Sequence, residues 1–231
     1  MLDLGRMRYG QALEVQQELV EQLKQGRGCD VLLLVEHPHV ITMGRNGKEG
    51  NVLANAQVLE RSGIEYFETD RGGDVTYHGP GQLVGYPILD LREWKRDVHA
   101  YFHGVEQALI DALKALGVIA TRIPQRGYEG VWVNGAKIAA IGIHISRWIT
   151  SHGFALNVET DLSYFKYIVP CGLTSPVCSL RSLGVTAERH VVANAVVPSF
   201  AQVFGYTEVT AGSSGHLRNV SLTEQCPASF A

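Results

Sequence analysis

The sequence predicts an α/β (α+β) domain. Helical and strand-like periods alternate along the whole chain, and an Asn134-Gly135 turn signal sits between two apolar runs. The composition is 45% hydrophobic and 19% charged over 231 residues, which is enough apolar material for a sizeable core. No repeat or linker divides the chain, so a single domain over residues 1–210 is expected, with room for a smaller C-terminal subdomain.

Each element follows from its own residues. Tyr9, Leu13, Val20 and Leu23 recur at helical spacing, with Gln16 as a break, and Gly26 and Gly28 end that helix. Residues 31–35 form an apolar, partly β-branched run and read as a buried strand. A second helix is expected over 51–61, stopped by Gly63. Residues 64–69 and 74–90 read as strands separated by a glycine turn. The clearest helix spans 97–116. Asp97 can cap it, Gly117 closes it, and Val98, Phe102, Val105, Leu109, Ala112, Leu113 and Leu116 form its apolar stripe. Asn134-Gly135 marks a tight hairpin, because both turn positions need positive φ. A strand at 151–158 and a helix at 189–204 follow, with Pro198 expected to kink or break the helix. From Thr210 the chain is rich in Ser, Gly and Thr, and residues 211–231 are expected to be a flexible tail.

Charge and cysteine usage narrow the function. The net charge of -3 gives no support for nucleic-acid binding, although Arg92, Lys95 and Arg96 form a local basic group. No apolar run approaches the roughly 20 residues of a membrane span, and the first residues lack the blocks of a signal peptide. Cys29, Cys171, Cys178 and Cys226 are unevenly spread, as suits free thiols in a reducing cytoplasm.

Three segments carry candidate chemistry. In residues 71–82, five of the twelve are Gly or Pro, so the backbone can approach a ligand and point N–H groups at it; a plain surface turn is the equal alternative. His78 in that stretch is a candidate general base or hydrogen-bond donor, against a structural role. Lys137 follows the hairpin turn beside an apolar run; it either snorkels to water or is tuned for proton transfer. Cys171 lies between Pro170 and Gly172, in a turn whose N–H groups can stabilise a thiolate; the alternative is an inert thiol. Cys178 invites a disulfide or metal reading, but no further zinc ligands stand at matching spacing. His99 and His103 lie four apart on the predicted helix, where an exposed polar face outweighs a metal site.

Together these blocks resemble the lipoyl (octanoyl) transferase family, also called lipoate–protein ligase B. The matching residues are Arg71-Gly-Gly-x-x-Thr-Tyr-His78, Gly79-Pro-Gly-Gln82 and Tyr86-Pro87, then Gly135-x-Lys137-Ile-Ala-x-Ile-Gly142, His152-Gly-Phe-Ala-Leu-Asn157, Asp161-Leu162 and Pro170-Cys171-Gly172. Glu36-His-Pro and Gly44-Arg45 are also similar to the early family pattern, and the likeness spans about residues 30–185. The resemblance implies a central mixed β-sheet flanked by helices, in a biotin/lipoate protein ligase-like fold. It implies that octanoyl moves from acyl carrier protein, through a thioester on Cys171 with Lys137 as partner, to a lysine of lipoyl domains. Those acceptors belong to 2-oxoacid dehydrogenases and the glycine cleavage H protein. Substrate binding is then expected of Arg71, Gly72, Gly73, Asp74, Val75, Thr76, Tyr77 and His78, and of Ala140, Ile141, Gly142, Gly153, Phe154 and Ala155. No metal, nucleotide or redox cofactor is required, because the donor arrives activated.

The chemistry suits such a role. A free thiol titrates near 8.5, and a neighbouring ammonium favours the thiolate. Burying about six methylenes contributes roughly 5 kcal/mol, but one methylene discriminates by only about 1–3 kcal/mol, so chain length must be read by a closed tunnel end. An ATP-dependent lipoate or biotin ligase, a Cys171/His78 hydrolase and a non-enzymatic lipid-binding or scaffold module are the alternatives.

Overall fold

A computed structural model describes residues 1–125, 127–169 and 175–213. Among the described residues, ten strands and four α-helices follow in the order β1 (Leu2–Arg6), α1 (Tyr9–Lys24), β2 (Val31–Glu36), β3 (Val40–Met43), α2 (Ala56–Arg61), β4 (Glu65–Glu68), β5 (Val75–His78), β6 (Gln82–Ile88), α3 (Val98–Ala115), β7 (Val131–Val133), β8 (Ala136–Ser146), β9 (Ile149–Asn157), α4 (Arg189–Phe204) and β10 (Gly212–Ser213). They build a seven-stranded mixed sheet, β10-β1-β2-β6-β9-β8-β7, and a three-stranded sheet, β4-β3-β5. The expected mixed sheet flanked by helices is what the molecule has.

Three apolar clusters hold these layers. The largest packs α3 and α4 on one face of the long sheet, through residues such as Leu34, Leu83, Tyr101, Leu109, Leu156 and Phe204. The second packs α1 on the opposite face, against Leu33, Val35, Val84 and Ile88. The third fills the small sheet around Ile41, Val75 and Tyr77. Phe200 and Phe204 of α4 stack on each other, and Phe204 also meets Tyr101 and Trp94, so α4 packs into the main core.

Several boundaries differ from those expected. The helix expected over 51–61 is α2 alone; Asn55 caps it at the Val58 N–H, and residues 49–51 form a separate 3-10 turn. The run 74–90 is two strands, because Gly79-Pro80-Gly81 interrupts it. On α3 the buried face is Tyr101, Val105, Ala108, Leu109, Ala112 and Leu113, while Val98 and Phe102 border a cavity. Pro198 lies inside α4 without interrupting it. Gly212 and Ser213 pair in parallel with β1, so strand pairing continues beyond Thr210. Residues 214–231 lie outside the described residues.

The hairpin places the next feature. Asn134 and Gly135 have φ of 50° and 79° between β7 and β8, as the turn signal requires. Successive β7 residues Val131 and Trp132 face Ala139 and Lys137, so β8 carries one extra residue, Ile138, and bulges there. The bulge sends both Ile138 and Ala139 into the main core. It thereby returns Lys137 to the same face as Ala140 and Gly142.

Candidate active site

A cavity of about 1260 Å³ lies where the small sheet meets the large one. β7 stops opposite Ala139, so β8 beyond it is an edge strand, and the cavity reaches round that edge to His99 and Phe102 of α3. Its floor is small. Ala140 faces Ala155 across β8 and β9, and Gly142 faces Gly153. A Cβ on Gly142 would stand 2.9 Å from the Gly72 carbonyl oxygen, and one on Gly153 2.2 Å from that of Gly85. Backbone therefore meets backbone at this end of the slot, and no side chain fits between.

The glycine loop is fastened over that floor. Gly72 donates its N–H to the Ile143 carbonyl at 2.8 Å, and the carbonyls of Arg71 and Gly73 accept from Arg45 and Asn46. Arg71 is buried, and its guanidinium donates to the Thr42 carbonyl (2.7 Å), the Thr42 hydroxyl and the Gly72 carbonyl. It thus ties the loop to β3. The Asp74 carboxylate accepts from the Lys48 N–H and from the Asn51 side chain, and the Asn51 carbonyl accepts from Val169.

A polar relay crosses the cavity. Asn157 donates through Nδ2 to the Cys178 carbonyl (3.0 Å), and its Oδ1 accepts from Gln82 Nε2 (2.9 Å). The Gln82 Oε1 then meets His78 Nδ1 at 2.8 Å. A carbonyl can only accept, so the whole chain is oriented from Cys178, and neutral His78 must carry its proton on Nδ1. Burial, and then the neighbouring His37 ring, lower the His78 pKa to about 3. His78 is therefore a neutral hydrogen-bonding group and a poor proton store. Its Nε2 is left with a lone pair.

Lys137 stands at the other end of the floor. It is buried, with Nζ 4.9 Å from the centroid of the Trp132 ring. Its main chain is bonded on both sides: the Lys137 N–H donates to the Pro176 carbonyl (2.9 Å), and the Lys137 carbonyl accepts from Cys178 (3.0 Å). Cys171, the expected nucleophile, lies outside the described residues, as does Cys226. The two described cysteines, Cys29 and Cys178, are both free thiols. Burial pushes the Cys178 thiol up to about 11, which suits an inert core residue.

Most of the residues singled out in the sequence border this cavity: Arg71, Gly72, Gly73, Asp74, Val75, Thr76, His78, Lys137, Ala140, Ile141, Gly142, Gly153, Phe154 and Ala155. Tyr77 does not. Strand alternation turns it away from Thr76 and His78, so its ring stacks on Tyr164 and its hydroxyl meets His39 at 2.8 Å. His103 is engaged with Glu106, and no cluster of three potential metal ligands exists among the described residues. Arg92 and Lys95 pair with Asp90 and Asp97, which leaves little of the basic group they were expected to form.

Residues 8–203 match the lipoyl protein ligase A/B catalytic domain. The chain belongs to that family. Within the lipoyl protein ligase A/B family, the octanoyltransferase of Solibacter usitatus is 61% identical over 211 residues, covering 91% of this chain and 94% of that one. That of Koribacter versatilis is 50% identical over 213 residues, covering 89% and 82%. The bi-partite lipoate protein ligase of Thermoplasma acidophilum has the same fold, with a TM-score of 0.73 at 16% identity over 92% of this chain and 86% of that one. No helix among the described residues of this lipoyl protein ligase A/B domain is long and apolar enough to cross a membrane.

Several residues that shape the cavity and its surroundings are not singled out by the motifs. Gln82 and Asn157 stand inside quoted motifs, and their positions beside His78 and at the end of β9 were the available signal. Thr42 and Asp70 carried none, because their contacts join distant segments. Nor did Gln16, the break in the α1 stripe. It is buried there, and its Oε1 accepts from the His152 N–H at 2.9 Å.

Proposed function

We propose that this chain is an octanoyltransferase of protein lipoylation. It takes octanoyl from acyl carrier protein, holds it as a thioester on Cys171, and passes it to a lysine of lipoyl domains in 2-oxoacid dehydrogenases and the glycine cleavage H protein, in the cytoplasm. The 61% identity to the S. usitatus octanoyltransferase across nearly the full length of both chains carries this reading. A slot floored by glycine and alanine that ends on a buried lysine supports it. So do the flanks of the cysteine segment. Val169 is bonded to Asn51 beside the glycine loop, and Pro176 to Lys137 itself.

The chemistry balances with one cysteine and one lysine. The Cys171 thiolate adds to the thioester carbonyl; the carbon–sulfur bond to the carrier breaks, and the carrier thiolate leaves with the Lys137 proton. The acceptor amine then adds to the acyl-cysteine carbonyl and gives its proton to neutral Lys137. Cys171 departs as the thiolate, and the starting state is restored. His78, neutral and fixed in one tautomer, contributes a hydrogen-bond acceptor to the cavity wall.

Purified protein mixed with octanoyl-carrier protein, without ATP, is expected to gain the mass of one octanoyl group. Peptide mapping should locate it on Cys171, and Cys171→Ala should abolish both the adduct and transfer to a lipoyl domain. The shared fold with lipoate ligases makes an ATP-dependent ligase the second reading; transfer that strictly requires ATP would establish it in place of the first.

A further inference from the structure

We propose that the Asp70–His152 pair is the end-stop of the acyl slot and sets the longest chain accepted. The proposal rests on the octanoyl-transfer reading above. The slot floor runs along β8 from Lys137 through Ala140 to Gly142. The reacting atoms belong at the Lys137 end, so the acyl terminus belongs at the Gly142 end. There the glycine loop lies directly on the floor, and His152, paired opposite Ile143 and bordering the cavity, comes next.

His152 is built unlike its neighbours. It is 2% exposed, and its φ of 57° is a left-handed backbone that a non-glycine residue rarely adopts. Its Nε2 meets the Asp70 carboxylate at 2.7 Å, while its buried Nδ1 makes no hydrogen bond among the described residues. Among the described residues, Asp70 is the hydrogen-bond partner that fixes the ring. Asp70 is in turn half-exposed, with His144 at 3.4 Å and Arg45 at 4.0 Å on its other oxygen. Hydrogen bonding from His152 holds the Asp70 carboxyl down to about 2, so the carboxylate is ionised throughout the working range.

Neither residue has a part in the transfer chemistry, yet His152 borders the cavity where the slot stops, and Asp70 holds its ring. A chain one methylene too long must push the imidazole off an ionised carboxylate or remain outside the slot. The small gain from burying a methylene does not offset the loss of a charge-assisted hydrogen bond. The pair therefore acts as a hard limit where apolar contact alone would discriminate weakly.

The test is a chain-length series: hexanoyl, octanoyl, decanoyl and dodecanoyl thioesters of acyl carrier protein, with Cys171 acylation followed by intact mass. His152→Gly tolerates the left-handed backbone and removes the ring. Asp70→Ala alters only the half-exposed anchor, and stands in if the first variant folds poorly. In either variant the decanoyl-to-octanoyl ratio of kcat/KM should rise threefold or more over the wild type. A smaller change in both overturns the proposal, as does loss of every chain length in both. A wild type that accepts no acyl chain from the carrier refutes octanoyl transfer itself, a result separable from a shifted or unshifted ratio.

Discussion

Two histidines make this fold sensitive to acid. His37 is buried, with Nδ1 on the Met7 carbonyl and Nε2 on the Tyr86 hydroxyl, and burial lowers its pKa to about 4. His78 is lowered to about 3. An unfolded histidine titrates near 6.5, so between these values only the unfolded chain binds the extra protons, and stability falls as pH falls. From pH 7 to pH 5 each residue should cost the fold about 2 kcal/mol. The urea midpoint should drop accordingly, and His78→Gln should remove about half of that pH dependence; equal midpoints at the two pH values would count against it. The sequence made His78 visible through its motif. It did not reveal the tautomer, which depends on a relay anchored 100 residues away at the Cys178 carbonyl.

At the scale of elements, the legible parts are those whose causes are local. The Asn134-Gly135 turn, the α1 span and the Asp97 cap of α3 all follow from neighbouring residues. Asp97 accepts from the Ala100 N–H at 2.9 Å, and Asp97→Ala should lower stability by about 1 kcal/mol in a thermal melt, with Asp97→Asn much milder. The illegible parts are those that tertiary contacts impose. β3 is four residues long and is held by β4 and β5 on either side. The turn from β8 to β9 uses Arg147 and Trp148, both at positive φ, so no glycine or asparagine announces it. The Ile138 bulge is likewise a product of pairing, and it is what turns Lys137 toward the cavity.

Across the whole molecule, the site exists because two sheets are joined edge to loop. Arg71 and the glycine loop make that joint, bonding to Thr42 of the small sheet and, through Gly72, to β8 of the large one. Arg71→Ala should cost at least about 2 kcal/mol by removing several charge-assisted bonds from a buried position. Hydrogen exchange should quicken at residues 42–46 and 72–74 and stay slow in α3; uniform acceleration would argue for global unfolding instead of a local joint. The motif residues 71–78 were readable as a unit, but their purpose as a joint was not, since the partner surfaces come from β3 and β8.

The glycine floor has a consequence for inhibition. A compound seated in the slot abuts the main chain where the glycine loop closes on the floor at Gly72 and Gly142, atoms that every substitution preserves. The usual route to resistance is a bulkier side chain, and here it would collide with the Gly72 and Gly85 carbonyls before it reached the compound. Escape would have to come from the walls, at positions such as Val84 or Ile141, where selection can still change shape without breaking the sheet.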